Sequence, residues 1–169
     1  MKKVFAVAII MISSTLTGVH LSKGLLLRAA ELEKARVFIV YCRTQIRYAA
    51  RNVEEIIRSY IDDHRSALPL FIRQDLQLPG GVSVQERIVE ALESPRIKKG
   101  LKATDIACLR AFVSSLGEGD VESQTALCDL YESLINERLA DARERAEKYA
   151  GLYTALGVLA GLAVSILLI

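Results

Sequence analysis

Residues 149–169 read YAGLYTALGVLAGLAVSILLI, with no charged side chain among them. At 1.5 Å per residue a helix of this length measures roughly 30 Å, the thickness of a bilayer's hydrocarbon core. The other end is similar. After Lys2 and Lys3, residues 4–21 form the apolar run VFAVAIIMISSTLTGVHL. A signal peptide shares the charged start. This run is long for a signal-peptide core, however, and no A-x-A-like cleavage site follows it. An uncleaved membrane helix is the better reading. The expected organisation is a transmembrane helix over 1–22, a helical domain over 23–148 and a second transmembrane helix over 149–169.

Two spans put the middle on one side of the membrane and both ends on the other. Lys23, Arg28, Lys34, Arg36, Arg138, Arg143, Arg145 and Lys148 flank the spans on the domain side, against Lys2 and Lys3 outside. The positive-inside rule then makes the central domain cytoplasmic. The cysteines agree. Cys42, Cys108 and Cys128 are odd in number, lack CxxC spacing and occupy apolar-periodic positions, as small buried residues in a reducing compartment would.

Removing the two ends leaves on the order of 120 residues, enough for a modest helical core. In that body Leu32, Ala35, Ile39, Cys42, Ile46, Ala49, Val53, Ile56 and Tyr60 recur in 4/3 alternation, one stripe of a coiled-coil-like hairpin. Asn52 with Glu55 has capping-box spacing, so the stretch should break near 50–52 into two helices. Pro69 and Leu78-Pro79-Gly80-Gly81 punctuate the chain. Ser83-Val84-Gln85-Glu86 opens a short helix that Pro95 stops, and Lys98, Lys99, Gly100 and Lys102 read as a basic loop. A helix over 104–116 ends at Gly117, placed for a left-handed cap, and Asp120 can cap the next. That last helix carries Leu127, Leu130, Tyr131, Leu134, Ile135 and Leu139 on one face and has no proline before the membrane. No segment alternates as a strand does. The fold class is therefore all-α, a helical bundle between two transmembrane helices, with the last helix continuing into its span.

The chemistry-bearing motifs are missing. His20 and His64 are isolated, Asp62 and Asp63 read as an exposed helix-terminal pair, and no Walker A, GxSxG, HExxH or GxGxxG occurs. No catalytic residue, cofactor or metal is expected. A net charge of +2, with basic residues not interleaved with aromatics, gives nucleic-acid binding no support. Two features point to partners. Gly157 and Gly161 form a GxxxG, and Ser14 with Gly18 spaces two small residues one turn apart in the first span. Such positions allow close helix contact, between the two spans or with a partner protein. Arg43, Arg47 and Arg51 form a basic strip, which is either a solvated face or a surface for anionic lipid or an acidic partner.

Three sequence patterns resemble the stage III sporulation protein AB family of endospore-forming bacteria. One is Leu156-Gly157-Val158-Leu159-Ala160-Gly161-Leu162 with its apolar end. Another is Leu116-Gly117, Asp120 and Gln124, similar to that family's LG-x-x-D-x-x-x-Q. The third is Gln45-Ile46-x-Tyr48, where the family commonly has an acid in place of Gln45. The Pro-Leu that usually opens the family's next helix is Asn52-Val53 here. Thr17-Gly18 and Lys23 after the first span also fit.

The resemblance implies a role that the residues alone do not. It implies a non-enzymatic platform in the mother-cell membrane around the forespore, part of a secretion-like channel complex needed for endospore formation. Its implied partners are other stage III sporulation membrane proteins, a secretion-type cytoplasmic ATPase and membrane lipid. The implied cytoplasmic fold is similar to those of type II secretion and type IV pilus platform proteins. The alternative is a membrane signalling adaptor with a coiled-coil-like cytoplasmic domain.

Overall fold

In the computed structural model the described backbone covers residues 2–49, 51–75 and 83–168; the side chains of 2–12, 74, 75, 154, 161 and 165–168 lie outside the description. Among the described residues seven helices follow one another: α1 (Lys2–Ala49), α2 (Val53–Asp63), α3 (Leu70–Asp75), α4 (Val84–Leu92), α5 (Pro95–Gly100), α6 (Ala103–Ser115) and α7 (Val121–Leu168). Among the described residues there is no strand. The chain divides into two compact units: Met1–Ala29 with Asp141–Ile169, and Ala30–Ala140. Among the described residues no helix is long and apolar enough to cross a membrane. Both apolar ends of the sequence include positions outside that description, as does the Leu78-Pro79-Gly80-Gly81 turn.

α1 and α7 are each 48 residues long. No proline falls in either, and from Leu25 to Ala49 and from Val121 to Ala150 there is no glycine, so nothing in those stretches interrupts the backbone ladder. The shorter helices depend on local caps. Asn52 Oδ1 accepts the Glu55 N–H at 2.8 Å to start α2. Ser83 and Glu86 form a reciprocal capping box on α4. Asp105 takes the Lys102 N–H at 3.0 Å for α6, and Asp120 takes the Ser123 N–H at 2.8 Å for α7. α3 has no such residue of its own. Its Leu70 N–H donates at 2.7 Å to Glu31, a fully enclosed carboxylate on α1 that also receives Lys34 Nζ at 2.7 Å.

The core of the Ala30–Ala140 unit is built on Phe38, which is wholly enclosed. Tyr60, Phe71 and Phe112 meet it edge-on with centroids 5.0, 6.1 and 6.2 Å away. Each such pair adds about 0.5–1.5 kcal/mol beyond its buried area. Around this cluster close Leu32, Ile39, Ile56, Ile57, Ile72, Ile88, Leu92, Ile97, Leu109 and Ile135, all buried. α4 packs against both α3 and α6.

Several expectations need correcting. Lys98, Lys99 and Gly100 are not a loop. Pro95 stands at the first position of α5, where its missing N–H costs nothing, and Ile97 anchors the short helix in the core. The single stripe lapses only at the helix break, where Ala49 is exposed and Val53 half-buried, and resumes in α2 with Ile56 and Tyr60, both buried. Leu130 is 57% exposed despite its apolar spacing.

Candidate functional site

In the unit formed by the chain's two ends, the small residues come together. Ser14 Oγ donates to the Gly157 carbonyl at 2.6 Å. A Cβ on Gly18 would stand 2.5 Å from the Tyr153 carbonyl oxygen and 3.2 Å from Gly157 Cα, so only a glycine fits there. A Cβ on Gly157 would stand 2.9 Å from the Ser14 carbonyl oxygen. The contact is intramolecular, between α1 and α7. Gly161 belongs to α7, but its surroundings lie outside the described residues. Away from this seam both helices show apolar side chains to the surroundings: Leu16, Leu21, Leu26 and Leu27 on α1, and Leu152, Leu156, Leu159, Leu162 and Val164 on α7. Polar residues of the same unit include a bridge in which Asp141 receives Arg28 Nη1 at 2.9 Å and Arg145 Nε at 2.6 Å. The Tyr149 and Tyr153 rings lie tilted to one another with centroids 6.3 Å apart, and Lys148 Nζ sits over the Tyr149 ring.

In the other unit the three arginines of the basic strip part ways. Arg43 is held against α7, its Nη1 paired with Asp129 and, at 2.7 Å, with Glu132. Arg47 is exposed and lies over the Tyr48 ring, 5.7 Å from its centroid. Arg51 is exposed and donates to Ser59 Oγ at 3.1 Å. Tyr48 itself is 78% exposed.

Between this corner and the α6–α7 loop lies a pocket of about 250 Å³, whose walls include Ile46, Arg51, Val53, Gly117, Asp120 and Val121. The loop is locked from within. Gly117 and Gly119 have φ of +95° and +92°, in the left-handed region that glycine favours. Gln124, buried in the first turns of α7, accepts the Gly117 N–H at 2.8 Å and donates back to the Ser115 and Glu118 carbonyls. Asp120 is fully exposed, and hydrogen bonds from Ser123 hold its carboxyl below the usual range.

The thiols are chemically quiet. Cys42, Cys108 and Cys128 are free and buried. Burial pushes the Cys42 thiol well up, raises Cys108 despite the nearby Arg138 guanidinium, and puts Cys128 at about 11. His64 stacks on Tyr60 at 4.4 Å, and Asp63 accepts the Tyr41 hydroxyl at 3.0 Å. Among the described residues no three His, Cys, Asp or Glu side chains gather as metal ligands.

The family model for stage III sporulation protein AB matches residues 3–169. The chain belongs to that family. No curated protein and no solved structure matches it.

In this stage III sporulation protein AB chain the sequence patterns have mechanical roles. The Leu-Gly, Asp and Gln of 116–124 are a buried anchor, a left-handed turn, a helix cap and a clamp. Of the Gln45-Ile46-x-Tyr48 pattern, Ile46 is buried and lines the pocket, whereas Tyr48 is left outside. Sequence reasoning missed Glu31 and Phe38, and a signal for both was present. Positions 31, 35, 38 and 42 share one helix face at 4/3 spacing. An acid in that register, ahead of three core residues, marks a buried carboxylate that must find donors.

Proposed function

We propose that this chain is a membrane-anchored, non-catalytic platform of a secretion-like complex in the mother-cell membrane around the forespore. In this reading residues 1–22 and 149–169 are its two spans and 23–148 its cytoplasmic domain. That domain holds a secretion-type ATPase against other stage III membrane proteins. The observation that carries the reading, beside family membership, is the distribution of exposed apolar side chains. They cluster on the outer surfaces of α1 and α7 in the unit built from the chain's ends, around the Gly18–Gly157 contact. A surface of that kind is stable in lipid and a liability in water. The basic residues flanking both segments on the domain side orient it.

A topology reporter fused after Lys99 tests the arrangement. Activity of a cytoplasm-dependent reporter is the expected result, and activity of an export-dependent one overturns it. Co-purification of the secretion-type ATPase with the full chain from sporulating cells tests the coupling, and its absence from the purified complex counts against the platform role.

A further inference from the structure

α4 packs on α6, and along the outside of that pair runs an open groove. Its first hollow, about 730 Å³, is walled by Glu86, Val89, Glu90 and Glu93 on one side and by Arg110 and Ser114 of α6 on the other. Glu93 and Arg110 also line a second hollow of about 510 Å³, which reaches the buried Leu101 and Ile106. Hollows of this size take a ligand far larger than one side chain. The walls are set before any ligand arrives. Gln85 Nε2 donates to the Leu116 carbonyl at 3.2 Å, tying the start of α4 to the end of α6, and Glu86 closes the Ser83 capping box. Glu93 pairs with Lys98 at 2.8 Å and with Arg110, joining the end of α4 to α5 and α6.

The charge on this groove is lopsided. Three carboxylates and one guanidinium line the first hollow. Arg110 and Lys98 are both spent on Glu93, at one end. Glu86 and Glu90 are exposed at the other end, one turn apart, and among the described residues neither is paired with a cation. Arg87, the one cation of α4, is not part of the lining, and its Nε is buried. Residues 76–82, which lead into α4, contain no charge. Like charges one turn apart repel on a helix, and a cation set between them relieves the repulsion. Val89, half-buried in the same hollow, offers apolar surface to the stem of a long basic side chain.

We propose that the α4–α6 groove docks a basic segment of a protein partner, with an arginine set between Glu86 and Glu90 and its stem lying over Val89. The proposal deepens the platform reading, on which it rests for the partner being a cytoplasmic protein. A guanidinium matches a pair of carboxylates through charge-assisted hydrogen bonds, and the groove beyond it has room for the residues that follow.

The test uses the full chain in nanodiscs of neutral phosphatidylcholine. The probe is a fluorescein-labelled peptide of arginines spaced by leucine and serine, followed by anisotropy. The expected result is saturable, salt-sensitive binding that weakens about tenfold or more in Glu86→Gln/Glu90→Gln. Glutamine at 86 keeps the capping box, so the fold should survive. Ser114→Trp, which fills the groove and leaves every charge in place, should weaken binding by a similar factor. Glu122→Gln/Glu137→Gln, which removes two exposed acids of α7 outside the groove, should leave it unchanged. Equal losses in the two double variants would mean attraction to net charge alone and overturn the proposal, as would unchanged binding in Glu86→Gln/Glu90→Gln or no saturable binding. Spermidine that displaces the peptide at equal concentration would make the groove a site for small cations, and the proposal would also fail. Circular dichroism checks the fold, and Glu90→Gln alone replaces the double variant if that one unfolds. Should the topology reporter place the domain outside while the peptide results hold, the platform reading falls and the docking site stands. A cytoplasmic reporter with no peptide binding gives the reverse.

Discussion

A Cβ placed on Gly117 would stand 2.8 Å from Val53 Cγ2, on a backbone with φ of +95°. The two faults are separable. Gly117→Ala should lower unfolding stability by about 2 kcal/mol or more, from left-handed strain and from the clash together. Adding Val53→Ala should return the share due to the clash and leave the strain. Urea titration of the two single variants and the double variant reads the difference. Additive losses would show that the helix corner and the loop do not touch.

Gln124 ties three backbone groups of the α6–α7 loop to α7. Gln124→Leu should cost about 1–2 kcal/mol, because hydrogen bonds to three backbone groups that are at most half-buried are lost. Gln124→Glu keeps the acceptor for the Gly117 N–H but loses both donated bonds, so its cost should be clear as well. Amide exchange at Gly117 should quicken in the leucine variant and stay slow in the glutamate one.

Gly18 leaves no room for a side chain against the Tyr153 carbonyl. Gly18→Leu should therefore separate α1 from α7 in mixed micelles, seen as unfolding at a lower SDS fraction. Ser14→Ala, which deletes only the hydroxyl donated to Gly157, should shift the same transition by about 1 kcal/mol or less. Equal effects of the two substitutions would mean that the hydrogen bond, not the close approach, holds the seam.

Burial lifts the Tyr60 hydroxyl from 10.0 to about 12. The folded state keeps this proton longer than the unfolded chain does, so stability must fall with rising pH. The contribution is complete below about pH 10 and is lost by about pH 12. Tyr60→Phe should flatten the pH dependence over that window. The wild-type denaturant midpoint should drop relative to that of the phenylalanine variant between about pH 10 and pH 12.

All three thiols are buried, and burial raises each of them. A thiolate-specific reagent at neutral pH should leave the native protein unlabelled for hours and modify all three after urea. Rapid native labelling of Cys42 or Cys128 would show that α1 and α7 open locally.

The helices were legible in the sequence because they obey local rules. Ser83, Asn52, Asp120 and Gly117 announce their caps at the spacing the backbone demands, and the structure places each of them in that role. What one stripe of residues could not show is how wide the buried face is. Phe38 lies beside Ile39, yet it is Phe38 that collects three aromatic neighbours from other helices. Leu130 fits the period but has nothing above it. The charge pattern concealed tertiary assignments in the same way. Glu31 and Arg43 look like solvated charges along α1, and only the fold reveals that one caps α3 and the other grips α7. The pocket was illegible for the same reason, since its walls come from positions some seventy residues apart.

Ser14 and Gly157 are 143 residues apart in the chain. Arg28 meets Asp141 in one unit and Arg43 meets Asp129 in the other, so α1 finds its partner in the last helix each time. α1 leaves the ribosome before α2 to α7 and waits through their synthesis. Until α7 emerges, its glycine seam has nothing to close on and Arg28 and Arg43 lack their carboxylates, and a long loop must then be spanned at once. The nascent chain thus depends on whatever shelters α1 before its last partner arrives. Translation stalled before Val121 should yield a product that chaperones and proteases recognise as unfinished, however complete its first helices are.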